Sequence, residues 1–185
     1  MGLLSGLAGS PFDPLVDKAT SEENTAEDWA LIMDIVDRVT VDSTGAKECL
    51  RSILRRLNSP IPVVLMQCLT LTDALVSNCG KKFHLEVCSR DFETALRNII
   101  ASKAQPKVSE RARLLVKKWA KEFRHDPQLA LMPALYERLK KEGVSFASSE
   151  PKRRGPGAID PAVLKNPDAV SSAQEEADIL KAIEL

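Results

Sequence analysis

Two side chains in this sequence have the types and spacing that a covalent catalyst would need: His84 and Cys88, four residues apart in KKFHLEVCS, with Asp91 three positions further on. On a helix, positions i and i+4 share a face, so an imidazole would lie beside a thiol and a carboxylate would be near enough to orient it. The surrounding residues speak against that use. Phe83, Leu85 and Val87 make the short helix read as largely buried, and the sequence carries neither an oxyanion-hole signature nor a glycine-rich phosphate loop. Two ligands are also too few for structural zinc. His84 and Cys88 are therefore read as structural, and the expectation is a non-enzyme with no catalytic residue, no metal and no cofactor.

Cys49, Cys68, Cys79 and Cys88 all lie inside helical patterns without a C-x-x-C pair, which reads as buried thiols in a reducing compartment and points to the cytoplasm. The chain has 185 residues, 44% of them hydrophobic, enough for one domain with a real core plus something further. Its 26 basic and 26 acidic side chains cancel, so no global field draws it to nucleic acid, which is not expected as a partner. The basic pairs starting at 55, 81, 117 and 140 fall on different helices and read as solvated faces. Residues 152–154, KRR, would make at most a weak membrane contact, about 1 kcal/mol per charge at an anionic surface. The opening MGLLSGLAGSPFDP lacks the basic flank of a signal peptide and has Gly6 where myristoylation wants Ser or Thr, so it is expected to be untethered and frayed.

The elements that must position any site are helical throughout. Residues 61–78, IPVVLMQCLTLTDALVSN, are apolar around most of the helical circumference, leaving a thin polar stripe of Gln67, Thr70, Asp73 and Ser77; such a helix is central. Ser59 is placed to cap it, Pro60 and Pro62 suit its first turn, and Gly80 supplies a left-handed end. Before it, a short helix is expected at 14–20 with Leu15 and Val16 inward, then one at 26–39 capped by Thr25 and burying Ile32, Ile35, Val36 and Val39. A third at 46–58 turns Cys49, Leu50, Ile53, Leu54 and Leu57 inward. Four more follow in KKFHLEVCS, DFETALRNIIASK, VSERARLLVKKWAKEFR and LALMPALYERLKKEG, separated by Gly, Pro or a capping Ser or Asp. No stretch alternates like a strand. Eight helices with short links predict an all-α, right-handed, solenoid-like stack. Residues 145–172 are rich in proline and scattered charge and read as a flexible linker, and residues 173–185 return to helical spacing.

The strings KATSEENTAEDW, EDWALIMDI and NCGKKFHLEVCSRDF resemble a VHS domain, the module at the N-terminus of Hrs, STAM and related endosomal sorting proteins. The similarity is to the STAM adaptor subfamily, because the domain, placed at 12–144, is followed by a linker and an acidic helix, EEADILKAIEL, that resembles the start of a ubiquitin-interacting motif. The resemblance implies a right-handed superhelix of eight helices like those of VHS and ENTH domains, binding of ubiquitin and ubiquitinated cargo, and work at the endosome membrane toward multivesicular bodies as part of the ESCRT machinery. It also implies an Hrs-like partner reached through regions outside these 185 residues. The motif lacks the serine expected just after Leu185, so the chain is read as an N-terminal piece of a longer protein.

The binding surface can be sketched from helical geometry. Taking Ile32 as the core direction, Trp29 lies roughly 60° and Met33 roughly 100° away, on the flank of the second helix, with Ala26 and Ala30 further round. Geometry leaves two options: an apolar patch that a flat partner can reach, or a Trp29 that packs under the fourth helix or the N-terminal segment. The resemblance favours the first and assigns Trp29 and Met33, bordered by Ala26 and Ala30, to ubiquitin; it also implicates the start of the fourth helix without naming its outward residues. In the terminal helix, acids Glu175 and Glu176 ahead of an Ile179, Ala182 and Ile183 stripe complement an apolar surface ringed by basic residues. Two other uses stay open: reading acidic dileucine signals between the sixth and eighth helices, hinted at by Arg97, Lys140 and Lys141, and lipid recognition resembling ENTH domains.

Overall fold

Residues 9–148 are described by a computed structural model, and the expectations for the N-terminal octapeptide, the 145–172 linker beyond Ser148 and the 173–185 helix lie outside the described residues. Helix α4 (Pro62–Asn78) is the element against which the others pack: it touches α2 (Trp29–Val41), α3 (Gly45–Arg56), α5 (Lys81–Val87) and α7 (Pro106–Phe123). Its sequence dictates this. Val64, Leu65, Cys68, Leu69, Leu71, Ala74, Leu75 and Val76 point in several directions around the helix, and all are buried. Helix α1 (Asp13–Ala19) packs on α2 and α3, α6 (Arg90–Ala101) packs on α7, and α7 packs on α8 (Leu131–Lys141). A 3-10 turn at Pro127–Leu129, not anticipated from the sequence, precedes α8; Asp126 starts it by accepting a hydrogen bond from the Gln128 amide at 3.0 Å. All regular structure among the described residues is helical.

The short links hold neighbours together with polar as well as apolar contacts. Arg56 donates to the Thr20 hydroxyl and carbonyl at 2.9 and 2.8 Å, and Ser52 donates to Asp13 at 2.5 Å, fastening α1 to α3. Buried Glu93 on α6 accepts from Arg138 on α8 at 2.6 Å and from Arg90 at 3.1 Å, so its charge is compensated where burial alone would expel it. Gly80 has φ 67° and ψ −157°, a region open essentially to glycine alone, and this conformation lets the chain leave α4 and enter α5 at once.

Several elements differ from their sequence reading. Helix α2 begins at Trp29, with Asp28 as N-cap accepting from the Leu31 amide at 3.0 Å; Thr25 does not cap it, and Ala26 and Glu27 precede the helix. The cause is tertiary: the Asn24 side chain donates to the Lys18 carbonyl at 2.9 Å and to Gln67 at 3.0 Å, holding the chain in a turn through Thr25. Part of the α4 polar stripe is likewise used internally. Gln67 is buried and donates to the Ser21 carbonyl at 3.1 Å, and Asp73 accepts from the Trp119 indole at 3.0 Å and from Lys118 at 2.8 Å. Ser59 accepts from the Ile61 amide at 3.2 Å, but Ile61 itself stands at the cap position of α4 without a side-chain cap. Leu85 is exposed, not buried, because α5 buries only the side that carries Phe83 and Val87. Leu15 and Leu54 are partly buried at the edge of the core. The chain stays in contact with the fold through Phe146, whose ring meets Tyr136 edge-on at 4.6 Å, while Arg113 donates to the Ser145 carbonyl at 2.7 Å.

Candidate functional site

His84 and Cys88 are occupied by the fold. His84 Nε2 lies 2.7 Å from the Val76 carbonyl, so this nitrogen carries the proton, and the ring stands 4.7 Å from Phe123. The Cys88 Sγ donates to the Leu129 carbonyl at 3.7 Å, and burial pushes its thiol up to about 11. A thiol that holds its proton near neutral pH, beside an imidazole spent on a backbone carbonyl, is a packing pair and not an activated nucleophile. All four cysteines are free thiols; Cys49 and Cys68 are buried, whereas Cys79 and Cys88 sit half-buried at helix ends.

The surface of α2 is different. Because Ile32, Ile35, Val36 and Val39 fill the inner face, the indole at position 29 and the thioether at 33 are left on the flank one turn apart; Trp29 is 55% and Met33 42% exposed. Of the two options that helical geometry left open, the structure takes the exposed one. Ala30 lies exposed beside them, in the first turn of the helix. Ala26 is exposed too, but it belongs to the turn before the helix, not to the helix flank. There it lines a groove of about 320 Å³ together with Asn24, Pro62, Val63, Met66 and Lys107, which joins the entry of α2 to the first turn of α4.

Val63 was missed by sequence reasoning. It is 44% exposed at the start of α4, where a helix apolar on all sides was expected to cover it. The sequence carries a faint signal: position 63 lies in the first turn of α4. Trp29, Met33 and Val63 are three of the five large hydrophobic side chains exposed among the described residues; Trp29 and Met33 stand on α2, which packs on α4, and Val63 in the first turn of α4. Acidic side chains form a rim on the α2 side: Glu22, Glu23, Glu27, Asp28, Asp34 and Asp37, all exposed. Of the basic side chains here, Arg38 is paired with Asp34 at 3.1 Å and Lys107 stands on the far wall of the groove.

Of the basic side chains named between α6 and α8, Lys141 is exposed and the other two are paired. Arg97 pairs with Glu142 at 3.2 Å and with Glu93 at 3.6 Å, and Lys140 pairs with Glu137 at 2.8 Å while lying over the Tyr136 ring. Among the described residues no helix is long and apolar enough to cross a membrane and no group of three or more His, Cys, Asp or Glu is arranged to hold a metal ion. Glu175, Glu176, Ile179, Ala182 and Ile183 lie outside the described residues.

Comparison with known proteins agrees with this architecture. The class E vacuolar protein-sorting machinery protein HSE1 of Cryptococcus neoformans var. neoformans serotype D is 35% identical over 182 residues, covering 96% of this chain and 26% of that protein. TOM1-like protein 2 of Homo sapiens is 36% identical over 152 residues, covering 78% of this chain and 30% of that protein. The chain thus spans only about a quarter to a third of the length of these curated relatives. A crystal structure of the VHS and FYVE tandem domains of Hrs, described as a protein involved in membrane trafficking and signal transduction, superposes with a TM-score of 0.69 at 25% identity, covering 77% of this chain and 65% of that one. Among the described residues, the right-handed superhelix of eight helices expected from the sequence is the fold found. The family profile of the VHS domain matches residues 8–143, and the chain belongs to the VHS domain family.

Proposed function

We propose that this chain is a STAM-type ubiquitin-binding adaptor module that helps sort ubiquitinated membrane cargo at endosomes toward multivesicular bodies. The observation that carries the reading is the exposure of Trp29 and Met33 one turn apart, with Val63 exposed at the start of α4 and carboxylates rimming the α2 side. An exposed indole beside a flexible thioether offers a large apolar area at little cost in conformational entropy, and it is the kind of anchor that dominates small interfaces. Ubiquitin presents an apolar surface ringed by basic residues, so the acidic rim would steer it and the apolar centre would hold it. Support also comes from the relatives, whose names place them in vacuolar protein sorting and membrane trafficking.

In this reading Trp29, Met33 and Val63 make the main contact, Ala30 and Ala26 let the partner approach closely, and Glu175, Glu176, Ile179, Ala182 and Ile183 form a second ubiquitin contact. The module works in the cytoplasm, recruited to the endosome membrane together with an Hrs-like partner. The test is a titration of isotope-labelled chain with ubiquitin followed residue by residue by NMR. Shifts should centre on Trp29, Met33 and the first turn of α4 in one set and on residues 175–185 in another. Shifts confined to α6 and α8, or none at millimolar ubiquitin, would overturn the reading.

A further inference from the structure

Of the three methionines among the described residues, Met132 is fully buried in the core, Met66 is partly buried on the groove side of α4, and Met33 stands exposed on the flank of α2. Met33 is thus the thioether of the domain that a small oxidant in solution meets first. The thiols do not compete for that oxidant. All four cysteines are buried or half-buried, and burial lifts each thiol above its ordinary value, Cys88 to about 11 and Cys68 to about 12. Near neutral pH they keep the proton that a thiol must lose before it attacks a peroxide. A thioether has no proton to lose, so its sulfur lone pair is available throughout that range. The place of Met33 gives its oxidation a consequence. The inner face of α2, with Ile32, Ile35, Val36 and Val39, carries the packing, so an oxygen on the Met33 sulfur alters the outer surface beside Trp29 and leaves the core alone. A sulfoxide is polar and binds water, which an apolar partner has to strip away on docking. The neighbourhood does not replace that water: Arg38, the one basic side chain of α2, is paired with Asp34 at 3.1 Å, and the acidic rim only accepts hydrogen bonds.

We propose that Met33 is a reversible oxidation site whose sulfoxide form releases the partner of the α2 patch. The proposal rests on the reading of that patch as the ubiquitin contact. The oxidant is hydrogen peroxide. The sulfur lone pair attacks one peroxide oxygen, an S–O bond forms as the O–O bond breaks, and sulfur gives up two electrons. The proton of the transferred oxygen passes through solvent to the departing hydroxide, which leaves as water. A reductase that uses a dithiol reverses the step: the sulfoxide oxygen leaves as water, two electrons return to sulfur, and the two thiols become a disulfide. Because the fold is untouched in either state, the switch acts on affinity and not on stability.

The experiment treats the whole chain with millimolar hydrogen peroxide, locates each added oxygen by peptide mass spectrometry, and follows ubiquitin binding by NMR titration before and after. Oxygen is expected at Met33 ahead of Met66 and Met132, with unchanged circular dichroism, and the dissociation constant is expected to rise at least about tenfold. Two methionine sulfoxide reductases, one for each sulfoxide epimer, should then restore both the mass and the affinity. Met66→Leu should lose affinity on oxidation as the parent does, whereas peroxide must leave the affinity of Met33→Leu at that variant's own untreated value. Where Met33→Leu binds too weakly to follow, the parent decides: its loss of affinity must track the sulfoxide fraction at Met33 as peroxide raises it and as the reductases lower it. Oxidation of Met132 as fast as Met33, a Met33 sulfoxide that binds within about twofold of the untreated chain, or a loss that the reductases leave in place, as damage to the Trp29 indole would be, overturns the proposal. Each of these leaves the ubiquitin reading standing, because the untreated chain binds. An untreated chain that does not bind ubiquitin overturns that reading and the proposal with it.

Discussion

Trp29→Ala separates a binding side chain from a structural one. The indole is 55% exposed, roughly 140 Å² of a side chain that offers up to about 250 Å², so a partner covering about 60 to 120 Å² of it gains about 1.5 to 3 kcal/mol at about 25 cal/mol per Å². Losing that contribution weakens affinity roughly 10- to 150-fold, and for a single small patch with a dissociation constant of order 10⁻⁴ M this carries binding past the millimolar range. The same substitution costs the fold little. Position 29 is the first residue of α2, and alanine is the better helix former there, which offsets part of the lost packing; a net cost of about 1 kcal/mol is expected. Trp119→Ala is the internal control, since its fully buried ring and its bond to Asp73 both disappear, at a cost of about 3 to 5 kcal/mol. The assays are ubiquitin titration by NMR and urea unfolding of both variants. If Trp29→Ala binds within twofold of the parent, or if it melts the domain as far as Trp119→Ala does, the assignment of this indole to an external partner is refuted.

Val63→Asp should weaken ubiquitin binding at least about tenfold with little change in melting temperature, since the side chain already faces water; titration and calorimetry check this, and a strongly destabilised variant would place Val63 in the core. Glu93→Ala removes the carboxylate that gathers Arg90, Arg97 and Arg138 and should destabilise by about 2 to 4 kcal/mol in urea unfolding, with α8 losing hydrogen-exchange protection first. Gly80→Ala forces a side chain into a glycine-only conformation at the α4–α5 junction and should cost about 1 to 3 kcal/mol. Burial pushes the Cys68 thiol from 9.0 up to about 12. Because the folded state holds this proton more tightly, its contribution to stability is complete below about pH 9 and is lost as pH rises toward 12. Unfolding free energy should therefore fall over that range, less steeply in Cys68→Ala than in the parent.

Helix identity and the centrality of α4 were legible in the sequence because a period near 3.6 and an all-round apolar helix are properties of the chain itself, and the short links allow few packings other than a stack of neighbours. The same periodicity put Trp29 and Met33 on the flank of α2, although it could not say whether that flank was covered. Tertiary structure decided what depends on residues distant in sequence. Asn24 meets Lys18 and Gln67, and this starts α2 at Trp29, capped by Asp28, and moves Ala26 off the helix into a groove wall. Asp73 meets Trp119 and Lys118, 45 or more positions away, so a side chain read only as part of a polar stripe ties α4 to α7. Val63 and Leu85 are exposed because no other segment covers the sides of α4 and α5 they leave from, which no local pattern encodes. Helical spacing states only the angle at which a side chain leaves its own axis; burial, charge compensation and access to a partner are set by what another segment places at that angle, and only the folded chain supplies it.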